Sequence, residues 1–271
     1  MKIAYSTVAC PDWSLEDAFN RGAEYGYVGL EVAYLEGQWV TPRLLKENQR
    51  RIRELSESSG CRAFAIAPHL VLGVGGAPGR AKALSEAQTL VELAGDVGAC
   101  FVRLFGGASD SCATEEGLIR VLSEDLALLD EVAAGTGVSI ALETYGPFSD
   151  PEQLAKVLQA TDSPRVVALW DLLHPTRIGQ PVPIVWQHLV GRLGYLHVKD
   201  ARRDEDGNWR HARLGKGDVP VREALRALAM RGFDGFAVVE WEKANHGHLA
   251  EPEDVLPGEI ATIREYTADL A

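Results

Sequence analysis

Residues 138–171 read VSIALETYGPFSDPEQLAKVLQATDSPRVVALWD. The run Val138–Glu143 is apolar and ends on a carboxylate. Asp150-Pro151-Glu152 then carries helix-start chemistry and opens a stretch with helical spacing near 150–160. A second apolar run, Val166–Asp171, follows and ends on another carboxylate. Strands this uniformly apolar are buried on both faces, which is the condition of a parallel sheet covered by helices.

The same rhythm runs along the whole chain. Strands are expected at Lys2–Ser6, Tyr27–Val32, Arg62–Ala67, Phe101–Phe105, Val138–Glu143, Val166–Asp171, Leu193–Val198 and Phe236–Glu240. Helices are expected near 14–25, 42–58, 79–97, 115–134, 150–160, 183–190, 220–231 and 252–269. Ser14 with Asp17, Thr41-Pro42 and Thr114-Glu115-Glu116 are helix starts, and Gly26, Gly60, Gly98, Gly137 and Gly232 stand where helices should stop. Eight units of about 34 residues fit a closed (β/α)8 TIM barrel better than a doubly wound sheet. The first βα turn has no G-x-G-x-x-G, and Gly73-Val74-Gly75-Gly76 follows the third strand as a loop, so a dinucleotide site is not expected. No Pro/Ser-rich linker divides the chain, and residues 1–271 are read as one barrel domain.

The chain has 271 residues with a formal net charge of −12, from 27 Lys+Arg against 39 Asp+Glu. Nucleic-acid binding usually takes a basic face. The one cluster here, Arg50-Arg51 with Arg53, has the spacing of an exposed helix face, so no nucleic-acid partner is expected. No apolar run approaches the roughly 18 residues of a membrane span, and the N-terminus lacks the apolar core of a signal peptide. Cys10, Cys61, Cys100 and Cys112 form no C-x-x-C pair and read as small hydrophobes. The expectation is a soluble, cytoplasmic protein that does not bind membranes.

In this fold the active site forms where strands end. Strand five ends on Glu143; strand six ends on Asp171, with His174 three residues on. Strand seven carries His197, followed by Lys199 and Asp200, and strand eight ends on Glu240. Three carboxylates crowded into one mouth repel one another unless a cation sits between them. Glu143, Asp171, His197 and Glu240 therefore read as ligands of one divalent ion, with oxygens and an imidazole suited to Mn²⁺, Mg²⁺ or Co²⁺ and compatible with Zn²⁺. A substrate's adjacent carbonyl and hydroxyl oxygens would fill the remaining positions.

These residues carry a resemblance. Glu143-Thr144, Trp170-Asp171-Leu172-Leu173-His174-Pro175-Thr176-Arg177 with Gly179, His197-Val198-Lys199-Asp200, Leu214-Gly215-Lys216-Gly217-Asp218 and Glu240-Trp241-Glu242-Lys243 resemble the xylose-isomerase-like superfamily, within it the sugar phosphate isomerase/epimerase proteins. The likeness covers roughly residues 138–260; the first half matches mainly in its βα rhythm and in His69. It implies that Glu143, Asp171, His197 and Glu240 are the metal ligands, and that Glu143 and Glu240 are also the two acid/base glutamates facing opposite sides of the substrate. It implies that His174 contacts substrate oxygens and that Arg203, beside Arg202, is the substrate-binding arginine of the ketose 3-epimerase branch.

Other residues are weighed on position. His69 ends strand three as a substrate or supporting contact, and Glu31 ends strand two facing a sugar hydroxyl or a surface partner. Alternation puts Lys199 on the side of His197, and Arg177 follows the His174 turn, where it could meet an anionic group. Arg103 is a charge inside an apolar strand, facing substrate or the carboxylates. Trp13, Trp39 and Phe105 are candidate pocket walls, and His246 and His248 lie in the loop after strand eight. Gly215-Lys216-Gly217-Asp218 is read as a loop-to-helix turn capped by Asp218 rather than a phosphate cradle.

The resulting expectation is a divalent-metal-dependent isomerase or epimerase of a sugar, sugar phosphate or keto-polyol. A proton beside a carbonyl is removed through an enediolate that the cation stabilises. The alternative is a lyase that dehydrates a keto-inositol or 3-dehydroshikimate through the same first step, and a third reading is a non-catalytic sugar-binding subunit. Abasic-site endonucleases share the superfamily, but strand four ends Leu104-Phe105-Gly106-Gly107, without the extra histidines that a three-ion site takes. Homo-oligomers, dimeric or tetrameric, are ordinary for this fold.

Overall fold

The computed structural model describes residues 1–107 and 114–270; Cys112 lies outside the described residues. Eight parallel strands close into a barrel: β1 (Lys2–Ser6), β2 (Gly29–Val32), β3 (Arg62–Ile66), β4 (Phe101–Gly106), β5 (Ser139–Glu143), β6 (Val166–Asp171), β7 (Leu193–Val198) and β8 (Phe236–Val239). Neighbours run in chain order from β1 to β8, β8 pairs with β1, and β3 pairs with β4, so every edge is closed. The outer helices are α1 (Leu15–Tyr25), α2 (Pro42–Ser58), α3 (Gly76–Asp96), α4 (Glu115–Ala133), α5 (Pro151–Thr161), α6 (Val182–Leu189), α7 (Val221–Ala229) and α8 (Pro252–Thr267).

Local chemistry explains the boundaries. Ser14, Thr41, Thr114 and Asp150 each accept a backbone N–H of the first turn of α1, α2, α4 and α5, satisfying donors that have no partner within the helix. Gly26 ends α1 in the left-handed region at φ 92°, where a side chain would be strained and would also meet the Arg264 guanidinium. Helix α3 begins at Gly76 rather than at residue 79, because Pro78 falls in its first turn, where a missing N–H costs nothing.

Alternation sorts each strand between barrel interior and helical layer. On β4, Val102 and Leu104 pack outward with the helices, whereas Phe101, Arg103 and Phe105 lie on the inner side. The floor of the interior is Ala4, Phe64, Ala65, Ala141, Leu169, Tyr195 and Val238, with Phe64 stacked on Phe236 at 3.9 Å between ring centroids. Two residues further along β5, β6, β7 and β8, the same inward rows reach Glu143, Asp171, His197 and Glu240. The apolar floor thus holds the polar layer at the C-terminal ends.

A hairpin absent from the sequence reading, Asp200–Arg203 against Trp209–Ala212, extends from β7. Its arginines break the apolar alternation that marks a strand. Asp200 accepts N–H groups from Ala201, Gly215, Gly217 and Val219. The Gly215-Lys216-Gly217 turn thereby folds around this chain's own carboxylate. The expected cap is corrected: Asp218 accepts the Arg203 N–H, and α7 has no side-chain cap.

Candidate functional site

Four strand ends converge on one point. Nδ1 of His197 lies 3.2 Å from Glu240 Oε1, 3.8 Å from Glu143 Oε1 and 4.0 Å from Asp171 Oδ2. Donors bound to a common ion at about 2.0–2.2 Å lie about 3–4 Å apart. All four side chains are buried, and His197 Nδ1 has no hydrogen-bond partner. These residues fit a divalent cation: three hard oxygens and one imidazole around an orphaned buried nitrogen.

The imidazole is fixed from behind. Nε2 of His197 is 2.9 Å from Glu31 Oε2, which also accepts the Tyr195 hydroxyl at 2.8 Å. Glu31 is fully buried, which excludes a surface partner, and it does not line the cavity above. An ionised carboxylate only accepts, so Nε2 carries a proton and Nδ1 is the nitrogen left to give its lone pair to a cation among Glu143, Asp171 and Glu240. Without a cation, burial opposes the His197 charge, but Glu240, Glu31 and Glu143 hold its pKa well above the ordinary value. Burial raises the Glu31 pKa, but His197 more than offsets it and brings it below the ordinary value.

Asp171 is held by its backbone and one oxygen. Its N–H donates to Thr144 Oγ1 at 2.9 Å, and its Oδ1 accepts Leu173 N–H at 2.7 Å and His174 N–H at 3.2 Å. That leaves Oδ2 for the cavity, 2.8 Å from Lys199 Nζ. Lys199 also reaches Glu240 Oε2 and Glu242 Oε1, both at 2.6 Å. Burial opposes its charge, yet Asp171, Glu240 and Glu242 raise its pKa well above the ordinary lysine value.

The two glutamates differ in proton affinity. Burial pushes Glu143 up to about 7, with Glu240 and Asp171 adding to it against His197 and Arg103. Glu240 is held well below the ordinary range, because His197 and Lys199 outweigh its burial. His174 Nε2 lies 3.9 Å from Glu143 Oε1 and 3.8 Å from Asp171 Oδ2. Burial lowers its pKa to about 4, so it is neutral at pH 7. Arg103, 1% exposed, sits 3.5 Å from Glu143 Oε2 without hydrogen-bond alignment and 4.0 Å over the Phe105 ring.

Above this layer opens a cavity of about 300 Å³. Of the expected residues, Glu143, Glu240, His174, His69, Lys199 and Arg177 line it, as do Trp39, Phe105 and His246. Arg203 is not among the lining residues: its exposed side chain lies against the hairpin's own turn, where its Nε donates to Gly207 O. Trp13 bonds Glu253 outside the cavity. A larger groove between α3 and α4 holds the Arg80–Asp125 pair against an apolar wall and gathers no comparable chemistry.

Tyr145, His211, Glu242 and Asn245 also line the cavity and were not anticipated as site residues. Tyr145 follows Glu143-Thr144 directly, and Glu242 continues the alternation of Glu240, so both carried a positional signal. His211 depends on the hairpin and had none.

Residues 19–266 match the family described as xylose isomerase-like TIM barrel, and the chain belongs to that family. It is 23% identical over 250 residues to fructoselysine 3-epimerase of Shigella flexneri, covering 89% of this chain and 90% of that protein. Among solved structures it is similar to the IolI protein with a bound zinc atom, at a TM-score of 0.79 and 19% identity over 100% of this chain and 98% of that one. It is also similar to the probable 3-DHS dehydratase AsbF of Bacillus anthracis, at a TM-score of 0.76 and 20% identity over 97% and 98%.

Proposed function

We propose that this member of the xylose isomerase-like TIM barrel family is a divalent-metal-dependent epimerase or isomerase of a small sugar, sugar phosphate or keto-polyol. The observation that carries the reading is the approach of Glu143 and Glu240, from strands separated by β6 and β7, to the same His197 nitrogen at the cavity floor. The likeness to fructoselysine 3-epimerase supports a sugar-like substrate, and the zinc atom bound by the IolI neighbour supports a metal.

Glu143, Asp171, His197 and Glu240 would hold the cation, of which Mn²⁺, Mg²⁺, Co²⁺ and Zn²⁺ all suit the donors. When bound, a divalent ion supplies Lewis-acid polarisation of a substrate carbonyl oxygen, which acidifies the neighbouring C–H.

The rest falls to this chain's side chains. Glu240, ionised, takes the proton from the carbon beside the carbonyl. Glu143 delivers a proton from its own side, and exchange with solvent then returns both carboxylates to their starting states. Return to the same carbon inverts it; return to the neighbouring carbon, with the hydroxyl proton passing from one enediolate oxygen to the other, exchanges aldose and ketose. Neutral His174 hydrogen-bonds a substrate oxygen, and Lys199 keeps Glu240 ionised between turnovers. Trp39, Phe105 and Tyr145 form the apolar wall that limits water.

A second reading, a dehydratase of an acidic substrate, draws on two unpartnered nitrogens of Arg103 and on Arg177 at the cavity, which suit a substrate carboxylate. The test is incubation of the metal-loaded protein in D₂O with ketoses, their phosphates, keto-inositols and dehydroshikimate, followed by proton NMR. Deuterium beside a carbonyl together with a new epimer or aldose supports the isomerase or epimerase. An enone with loss of water moves the protein to the lyases, and no exchange under any condition counts against both.

A further inference from the structure

We propose a second divalent-cation site in the wall of the same cavity, formed by His211, Glu242 and His246. Glu242 Oε2 lies 3.6 Å from His211 Nε2 and 3.6 Å from His246 Nε2. Both separations are too long for a direct hydrogen bond and match donors that share one ion. One ligand atom from each residue falls within 4.8 Å of the other two.

The three come from different parts of the fold. His211 sits on the second strand of the hairpin after β7, Glu242 two residues beyond the Glu240 strand end, and His246 one helical step further along that loop. The His211 and His246 rings stand 4.8 Å apart at their centroids. Trp241 packs edge-on to His211 at 6.4 Å, which backs the imidazole on one side. The His211 side chain is only 10% exposed, and its Nδ1 has no partner. The nitrogen turned on Glu242 is Nε2, so a largely buried imidazole faces a carboxylate that it does not reach with a direct hydrogen bond.

The donor set is two imidazoles and one carboxylate, the composition preferred by Zn²⁺, Co²⁺ and neighbouring transition metals over Mg²⁺ or Ca²⁺. Three protein ligands leave at least one position open toward the cavity, for water or for a hydroxyl or carboxylate oxygen of the substrate. The other Glu242 oxygen holds Lys199, which also touches Asp171 and Glu240. The two centres therefore flank one cavity with the Lys199 ammonium between them, and a substrate can be held at both ends.

The site stands apart from the reading given under Proposed function, and one experiment separates them. The full-length protein is dialysed against chelator-buffered Co²⁺, and bound Co²⁺ is measured by elemental analysis and by visible absorption. Two equivalents per chain are expected for the wild type, one for His246→Ala and for His211→Ala, and two for His248→Ala, which alters a neighbouring histidine outside the trio. Asp171→Ala should lose the other equivalent while keeping the absorption that His246→Ala removes. One equivalent in the wild type that Asp171→Ala abolishes and His246→Ala leaves untouched overturns the second site and leaves the first standing. Two equivalents persisting in both histidine variants also overturn it, and no bound Co²⁺ at all overturns both.

Discussion

Glu31 Oε2 stands 2.9 Å behind His197 Nε2, so one buried carboxylate determines which nitrogen of the imidazole faces the cavity. The arrangement reaches across the barrel interior from β2 to β7, and Tyr195 ties it to the apolar floor. A first prediction follows. Glu31→Gln keeps the side chain's size but can turn a donor toward Nε2, which no longer enforces the tautomer. Affinity for Mn²⁺ or Co²⁺, read by titration calorimetry, should fall about 10–100-fold with the fold intact. Unchanged affinity would show that His197 is not a ligand.

Glu240→Gln and Glu143→Gln should each lower kcat by about 10²–10⁴-fold or more, the range typical of removing a positioned acid or base. Because the two carboxylates take different faces in the proposed cycle, the variants should also differ in partial reactions. One should still exchange the substrate's proton with D₂O in one epimer only. Wild-type rates in either variant would withdraw that residue from proton transfer.

The barrel could be read in advance because its signals are local and repeated. Lys2–Ser6, Val166–Asp171 and Leu193–Val198 fall on the observed strands residue for residue, since apolar runs between helix caps have no competing reading. Glu143, Asp171, His197 and Glu240 were legible for a related reason: a titratable side chain directly after a fully apolar strand points into the mouth. Glu31 shares that position, yet its role was not legible, because its partner His197 lies 166 residues away. Arg203 shows the opposite limit. The family resemblance implied a substrate contact for it, beside Arg202, whereas the hairpin after β7, invisible in the charge-broken pattern, holds Arg203 against its own turn and delivers His211 to the cavity.

Asp200 illustrates how much of that hairpin rests on one carboxylate. It accepts four backbone N–H groups from the turn and the strand it closes, at 2.8–3.1 Å. Asp200→Ala would leave these donors unpaired in a buried position and should destabilise the protein by about 1–3 kcal/mol, checked by urea unfolding. Gly217→Ala should act the same way, because its Cβ would strike the Asp200 carboxylate and the Ala201 carbonyl. Wild-type stability in both variants would mean that the turn is held by other contacts.

The raised pKa of Glu143 makes the effect of metal depend on pH, with a sign that can be worked out. Its value is pushed up to about 7 by burial, against 4.5 for an ordinary glutamate. Between those two values the folded, metal-free protein binds more protons than the unfolded chain. The stabilising contribution of protonated Glu143 is therefore full below about pH 4.5 and is lost as pH rises through about 7. Cation binding requires the opposite state, an ionised Glu143, and an Nδ1 of His197 free of its proton, whose affinity Glu240, Glu31 and Glu143 raise against burial. Loading the metal releases protons, so its stabilising effect grows with pH. The difference in Tm with and without Mn²⁺ should be small at about pH 5.5 and increase through about pH 7 toward about pH 8. A difference that stays flat across this range would remove Glu143 from the cation's donors, and with it the coupling between metal binding and the proton-carrying carboxylate.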